Sequence, residues 1–177
     1  MSKFWERIGG KHKRVLDELG IENFRRTISR QYSSAEEYDT SEWIANAYRQ
    51  CKSLGITFID ESGIGNPMTV EVDGKLVSQD LVHSCYEAFV LKDILERSTS
   101  VCEIGGGSGR TAETILKLFP HLSYTIVDVP PAINVAQWYL EKSGITNVSF
   151  VPPKDAPQHY DVYLAISVFS ELAKVEV

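Results

Sequence analysis

Residues 101–116, "VCEIGGGSGRTAETIL", decide the fold: an apolar run breaks into four glycines within the five residues Gly105 to Gly109, then turns into a helical pattern. Strand, tight glycine turn and helix are the parts by which an α/β protein brings backbone N–H groups close to an anionic or nucleoside ligand. Three kinds of loop share these parts, and spacing separates them. A dinucleotide loop needs GxGxxG; Gly105 and Gly107 fit, but Arg110 stands where the third glycine would let helix and strand pack closely. A phosphate-cradling GxxxxGK[ST] loop fails at the same residue, and no Lys-Ser or Lys-Thr follows it. What fits is an acid followed by GxGxG: Glu103, Gly105, Gly107 and Gly109, with Gly106 between. Such glycines let the backbone turn sharply and approach a ligand without a Cβ clash, while a helix starting near Ser108 aims its free N–H groups into the crevice.

Downstream, strands and helices alternate. "VCEIG", "SYTIVDV", "NVSFVP" and "DVYLAIS" read as strands, and "SGRTAETILKLFP" and "PAINVAQWYLEKSG" as the helices between the first three. Pro131 and Gly144 stand at the start and just past the end of the second helix, where those residues are best tolerated. This alternation predicts a Rossmann-like α/β fold with about four parallel strands and right-handed crossovers. Asp128 closes the second apolar run about 20 residues beyond the glycines, where an acid can accept from both hydroxyls of a ribose; a turn or cap acid before Pro130 and Pro131 is the alternative.

Upstream, residues 1–55 read as helical with interruptions. "SEWIANAYRQCKSLG" has a cap candidate at Thr40 or Ser41 and a left-handed stop at Gly55. Alternation on either side of Asp73-Gly74 predicts a β-hairpin. Then "SQDLVHSCYEAFVLKDILERS" reads as one amphipathic helix capped by Ser78, with Leu81, Cys85, Ala88, Leu91 and Leu95 on its apolar stripe and His83 off it, as a surface histidine. The expected organisation is a helical region with a hairpin, residues 1–77, followed by the Rossmann-like part, residues 78–177.

At this point "EIGGGSGRTAETIL" followed by "YTIVDVPPAINVAQWYLEKSG" resembles the first two motifs of class I S-adenosylmethionine-dependent methyltransferases. More narrowly it resembles the sugar O-methyltransferases, through Ala136-Gln137-Trp138-Tyr139-Leu140, with Gly65-Asn66-Pro67 similar to that family's N-terminal region. The resemblance covers about residues 78–172. It implies S-adenosylmethionine as cofactor, with Gly105, Gly106, Gly107 and Gly109 lining the methionine moiety and Glu103 bracing the loop or the amino group. It also implies that Asp128 holds the ribose. An acid after the third strand often recognises adenine in this superfamily, and Asp155 is the candidate, with a mere loop acid as the alternative. Methyl transfer to a hydroxyl needs in-line geometry and a proton acceptor. Glu171 is the candidate base, near Ser167 and Ser170, though a cap or surface acid fits the same position. The fourth strand has no terminal Asp, so no metal site is expected.

Composition bounds the rest. The 177 residues are 43% hydrophobic and 24% charged, enough for one buried core. A net charge of −6 argues against nucleic acid, although the first 30 residues carry eight Lys or Arg against four acids. Three cysteines without a CxxC pair suggest neither a disulfide framework nor a zinc site, and no stretch has the length and apolarity of a membrane span or signal peptide, so a cytoplasmic protein is expected. The main expectation is an enzyme that methylates a hydroxyl of a small-molecule or glycan acceptor. A C-terminally truncated remnant that only binds cofactor is the alternative, because the strand at 161–167 lacks its usual neighbour and would need a second copy or another partner to cover it. An NAD-dependent oxidoreductase is the weakest reading, since Arg110 counts against it.

Overall fold

A computed structural model of the chain describes residues 10, 13–14, 16–26 and 41–166. Its centre is a four-stranded parallel sheet of β3 (Ser100–Ile104), β4 (Ser123–Val127), β5 (Val148–Val151) and β6 (Val162–Leu164), in the order β5-β4-β3-β6. A separate antiparallel hairpin joins β1 (Thr69–Val72) to β2 (Lys75–Ser78). From residue 41 onward the α-helices among the described residues are α1 (Ser41–Ser53), α2 (Gln79–Val90), α3 (Lys92–Leu95), α4 (Arg110–Leu118) and α5 (Ala132–Lys142), and a 3-10 turn at Ile21–Asn23 precedes them. This is the expected Rossmann-like sheet with a helical region and hairpin before it.

Local chemistry accounts for most boundaries. Asp73 and Gly74 both take positive φ, 52° and 76°, the geometry of a two-residue turn whose twist matches that of the flanking strands. The Ser78 side chain accepts from Leu81 N at 3.2 Å and caps α2. After α1, Gly55 at φ 79° lets Ile56 N bond back to Cys51 O at 3.1 Å. The cap candidate Thr40 lies outside the described residues.

Three expectations need correction. The helix after Ser78 is not continuous: at Leu91 the backbone tightens, Ile94 N bonds Leu91 O three residues back, and α3 starts afresh so that Leu95 turns into the core. The glycine-loop helix starts at Arg110 rather than near Ser108, because Gly109 holds a left-handed φ of 81° that no helical residue can share. The last strand spans only Val162–Leu164; Ala165 and Ile166 are described outside it, and Ser167 lies beyond the described residues.

Strands β3 and β4 are buried nearly end to end, as central parallel strands covered on both faces must be. They pair in register from Ser100 opposite Ser123 to Ile104 opposite Val127. Crossovers through α4 and α5 carry the chain toward β5, and it then returns to the far side of β3 to form β6. At that return Asp161 clamps the start of β6 to β3: its carboxylate accepts from Thr99 N (2.7 Å), Thr99 Oγ1 (2.8 Å) and Ser100 N (3.1 Å).

Two apolar clusters meet along α2. One joins Ile44, Tyr48, Ile56, Val72, Val77 and Leu81; the other packs Phe24, Leu95, Ile115, Ile126, Tyr139 and Leu140 around the sheet. Each fully buried Leu or Ile contributes about 1.5–3 kcal/mol of transfer free energy. Cys51, Cys85 and Cys102 are buried free thiols, and burial pushes Cys85 up to about 11. Among the described residues no helix is long and apolar enough to cross a membrane.

Candidate functional site

The strand order reverses at β3, whose two neighbours are reached by connections running in opposite directions. The carboxyl ends of the strands at such a reversal open a crevice in which α/β sheets bind ligands. The glycine loop leaves β3 at this end, and Asp128 leaves β4 beside it. Gly107 N donates to Asp128 Oδ2 at 2.9 Å, and Val129 N donates to Asp128 Oδ1 at 2.7 Å. Both carboxylate oxygens are thereby oriented at the carboxyl end of β4.

Within the loop the glycines serve different ends. A Cβ on Gly106 would lie 2.8 Å from Ile126 Cγ2 and 3.1 Å from Glu103 Oε2, so this residue is the loop's packing face. A Cβ on Gly107 would meet nothing within 4 Å, so its open side is where a ligand can approach the backbone. Gly109 N closes a turn onto Gly106 O at 2.9 Å, and Gly109 packs on Leu140 and Ala136 of α5. As the N-cap it offers α4 no side-chain oxygen, which leaves the helix's first N–H groups for a ligand.

Glu103, the penultimate residue of β3, is 3% exposed and lies under this loop, where its Oε2 accepts from Tyr124 Oη at 3.1 Å. Burial raises its carboxyl to about 7, against the Tyr124 hydrogen bond and with help from the negative charges of Glu87 and Asp128. Tyr124 is in turn pushed well above its ordinary value by burial and by Glu103. The Glu103 carboxyl thus lies directly beneath Gly106, where a Cβ would come within 3.1 Å of its Oε2. Asp155 ends the 3-10 turn Pro153–Asp155 after β5, exposed, at the same end of the sheet as Asp128 and Gly105. Glu171, with Ser170, lies outside the described residues. A concavity of about 230 Å³ lined by Tyr48, Lys52, Phe58, Asp60 and Lys75 belongs to the hairpin region and not to this crevice.

The structure adds residues that local pattern does not reveal. Glu87 of α2 accepts from Thr111 Oγ1 at 3.2 Å, at the first turn of α4, and burial raises its carboxyl. Arg110 is 4% exposed and donates to Tyr139 Oη at 3.0 Å and to Glu113. Glu113, fully buried, also accepts from Lys117 Nζ at 2.6 Å. Burial alone would raise Glu113, but Arg110 and the hydrogen bonds from Lys117 and Tyr139 hold it below the usual carboxylate range. The i, i+3 and i, i+4 spacing of Arg110, Glu113 and Lys117 was a visible signal for this cluster. His83 is exposed on α2, edge-on to Trp43 at 5.6 Å.

A parallel sheet with an acid-GxGxG loop and a second acid at the reversal of strand order defines a class of nucleoside-cofactor domains. Residues 41–156 match the model of the O-methyltransferase domain family, and the chain belongs to that family. It is similar to (RS)-norcoclaurine 6-O-methyltransferase of Thalictrum flavum subsp. glaucum, 31% identical over 86 residues, which are 48% of this chain and 23% of that protein. Acetylserotonin O-methyltransferase of Bos taurus is 28% identical over 74 residues, 40% of this chain and 21% of that protein. The chain thus spans less than a quarter of the length of these curated relatives in the matched region. Among solved structures, an O-methyltransferase (NcsB1) from neocarzinostatin biosynthesis in complex with S-adenosyl-L-homocysteine and 1,4-dihydroxy-2-naphthoic acid aligns at a TM-score of 0.41 and 21% identity, covering 51% of this chain and 30% of that one.

Proposed function

We propose that this chain binds S-adenosylmethionine at the carboxyl ends of β3 and β4 and serves methyl transfer to an acceptor hydroxyl. The observation that carries the reading is the tie between loop and acid, Gly107 N to Asp128 Oδ2 at 2.9 Å, at the reversal of strand order. Membership of the O-methyltransferase domain family supports it independently.

The residues present fit such a cofactor. Asp128, oriented by Gly107 N and Val129 N at the end of β4, is the acid that suits the two ribose hydroxyls. The open side of Gly107 admits the amino-acid moiety, whose carboxylate the first turn of α4 favours. Glu103 holds Gly106 from beneath, and Asp155 is the candidate for the adenine amine. When bound, S-adenosylmethionine supplies a methyl group on a sulfonium for in-line displacement by an acceptor oxygen. Glu171 is the candidate to take the hydroxyl proton.

The finer reading is a sugar hydroxyl as acceptor, in a small molecule or glycan, supported by the resemblance around residues 136–140. A second acceptor class is favoured by the relatives, several of which are named for alkaloids. Calorimetry of the chain with S-adenosylhomocysteine tests the cofactor. Asp128→Ala should weaken binding by roughly tenfold or more, about 1.4 kcal/mol, as expected for lost ribose contacts. Absence of binding by the parent chain, or saturable binding of NADH instead, would sink the proposal. A methyl-transfer assay read by mass spectrometry, with sugar nucleotides in one arm and norcoclaurine and cephaeline in the other, separates the two acceptor classes.

A further inference from the structure

Arg25 lies outside residues 41–156, the part that matches the family, yet it is 4% exposed and heavily bonded. Its Nε donates to Asp80 Oδ2 (2.9 Å), its Nη1 to Ser62 O (2.8 Å), and its Nη2 to Glu61 Oε1 (2.9 Å), Asp80 Oδ1 (3.0 Å) and Ser78 Oγ (3.1 Å). Its backbone N–H bonds Gly65 O at 2.9 Å. There the chains approach so closely that a Cβ on Gly65 would lie 2.5 Å from the Phe24 ring. Phe24 in turn sits edge-on to Trp138 and Tyr139 of α5.

Glu61 links this cluster to the glycine loop. The Oε1 that accepts from Arg25 lies 3.8 Å from Nη2 of Arg110, so two buried guanidiniums share one carboxylate. Arg110 is the first residue of α4, directly after Gly109, which provides no side-chain cap. The path of the chain out of the loop is therefore set by the packing of Gly109 on α5 and by the bonds of the Arg110 side chain. Without Arg25, Glu61 would keep Arg110 as its remaining buried cation, and the attraction would draw that guanidinium off Glu113 and Tyr139. Buried charges do not tolerate an unpaired state, so the rearrangement would be transmitted to the helix start.

We propose that Arg25, acting through Glu61 and Arg110, is a positioning residue for the glycine loop, so that residues 16–26 work as part of the cofactor-binding unit. The ligand side of this proposal rests on the S-adenosylmethionine reading above. The test uses the whole chain with Arg25→Met and Arg25→Lys, and Lys75→Ala as a control that breaks the exposed Lys75–Asp60 pair. Amide resonances of Gly105, Gly106, Gly107 and Gly109 are recorded without ligand, and S-adenosylhomocysteine affinity is measured by calorimetry.

Arg25→Met is expected to shift the loop resonances and to weaken binding roughly fivefold or more, within the usual range of site-to-site coupling. Arg25→Lys should show a smaller displacement in the same direction, because an ammonium keeps the charge but not the forked bonding. Lys75→Ala should leave both readouts unchanged. If Arg25→Met does not fold, Arg25→Lys decides by the same two readouts. Folded variants with loop resonances at their parent positions would overturn the proposal, as would loop shifts equally large in Lys75→Ala. If the parent chain binds no S-adenosylhomocysteine, the cofactor reading fails, while the ligand-free resonances still decide the coupling.

Discussion

Replacing Glu103 by Gln should change how the stability of the chain depends on pH. Glu103 is 3% exposed, and burial raises its carboxyl from an ordinary 4.5 to about 7. Between those values the folded chain holds a proton that the unfolded chain has released. The stabilisation from this group is therefore complete below about pH 4.5, declines as pH rises, and is gone once pH passes about 7. A difference of about 2.5 pKa units at 1.36 kcal/mol each makes the full change about 3 kcal/mol. Gln does not titrate, and its side-chain oxygen can still accept from Tyr124. Urea unfolding of both proteins at pH 5 and pH 8 isolates the effect, because every other titrating group is common to them. Relative to Glu103→Gln, the parent should lose about 2–3 kcal/mol between the two pH values, roughly 1 M in urea midpoint for a chain of this size. Parallel behaviour of the two proteins would mean that the carboxyl is solvated and is not held under the loop.

Arg110→Met should cost about 3–5 kcal/mol in the same unfolding assay at neutral pH, because it leaves Glu113 and Glu61 short of a buried partner; a loss near zero would show those carboxylates to be hydrated. Gly106→Ala should destabilise the chain by about 1–3 kcal/mol through overpacking on Ile126, and should cost less in an Ile126→Ala background, where both Cγ atoms of Ile126 are gone. Gly107→Ala has open space and should cost about 1–2 kcal/mol, from its φ of 54°, whether or not Ile126 is replaced by Ala. A cost that falls in the Ile126→Ala background at Gly107 as it does at Gly106, in thermal unfolding, would contradict the assigned packing. Gly74→Ala should raise the free energy of the hairpin turn by about 1 kcal/mol, read as loss of amide protection in β1 and β2 under hydrogen exchange.

Features that depend on neighbours in sequence were legible in advance. The turn at Asp73-Gly74 follows from two residues that tolerate positive φ. The Ser78 cap follows from one hydroxyl placed before an apolar stripe. The glycine loop and Asp128 follow from strand, turn and helix in succession, and the structure bonds the two through Gly107 N. Where local pattern misled, backbone detail intervened: the tightening at Leu91 interrupted a helix that hydrophobic spacing alone would have continued, and the left-handed Gly109 set the start of α4 back to Arg110.

By itself the sequence determined the strand-helix alternation, the parallel sheet and the glycine turn after β3, because apolar periodicity and glycine conformations are local properties. Tertiary structure alone decided that β6 lies beside β3, which makes the crevice. It also decided that Glu61 and Asp80, 36 and 55 residues from Arg25, converge on its guanidinium. The acidity of Glu103 belongs to that second group as well. A carboxyl's proton affinity depends on what excludes water from it, and here that is Tyr124 and the loop folded over it.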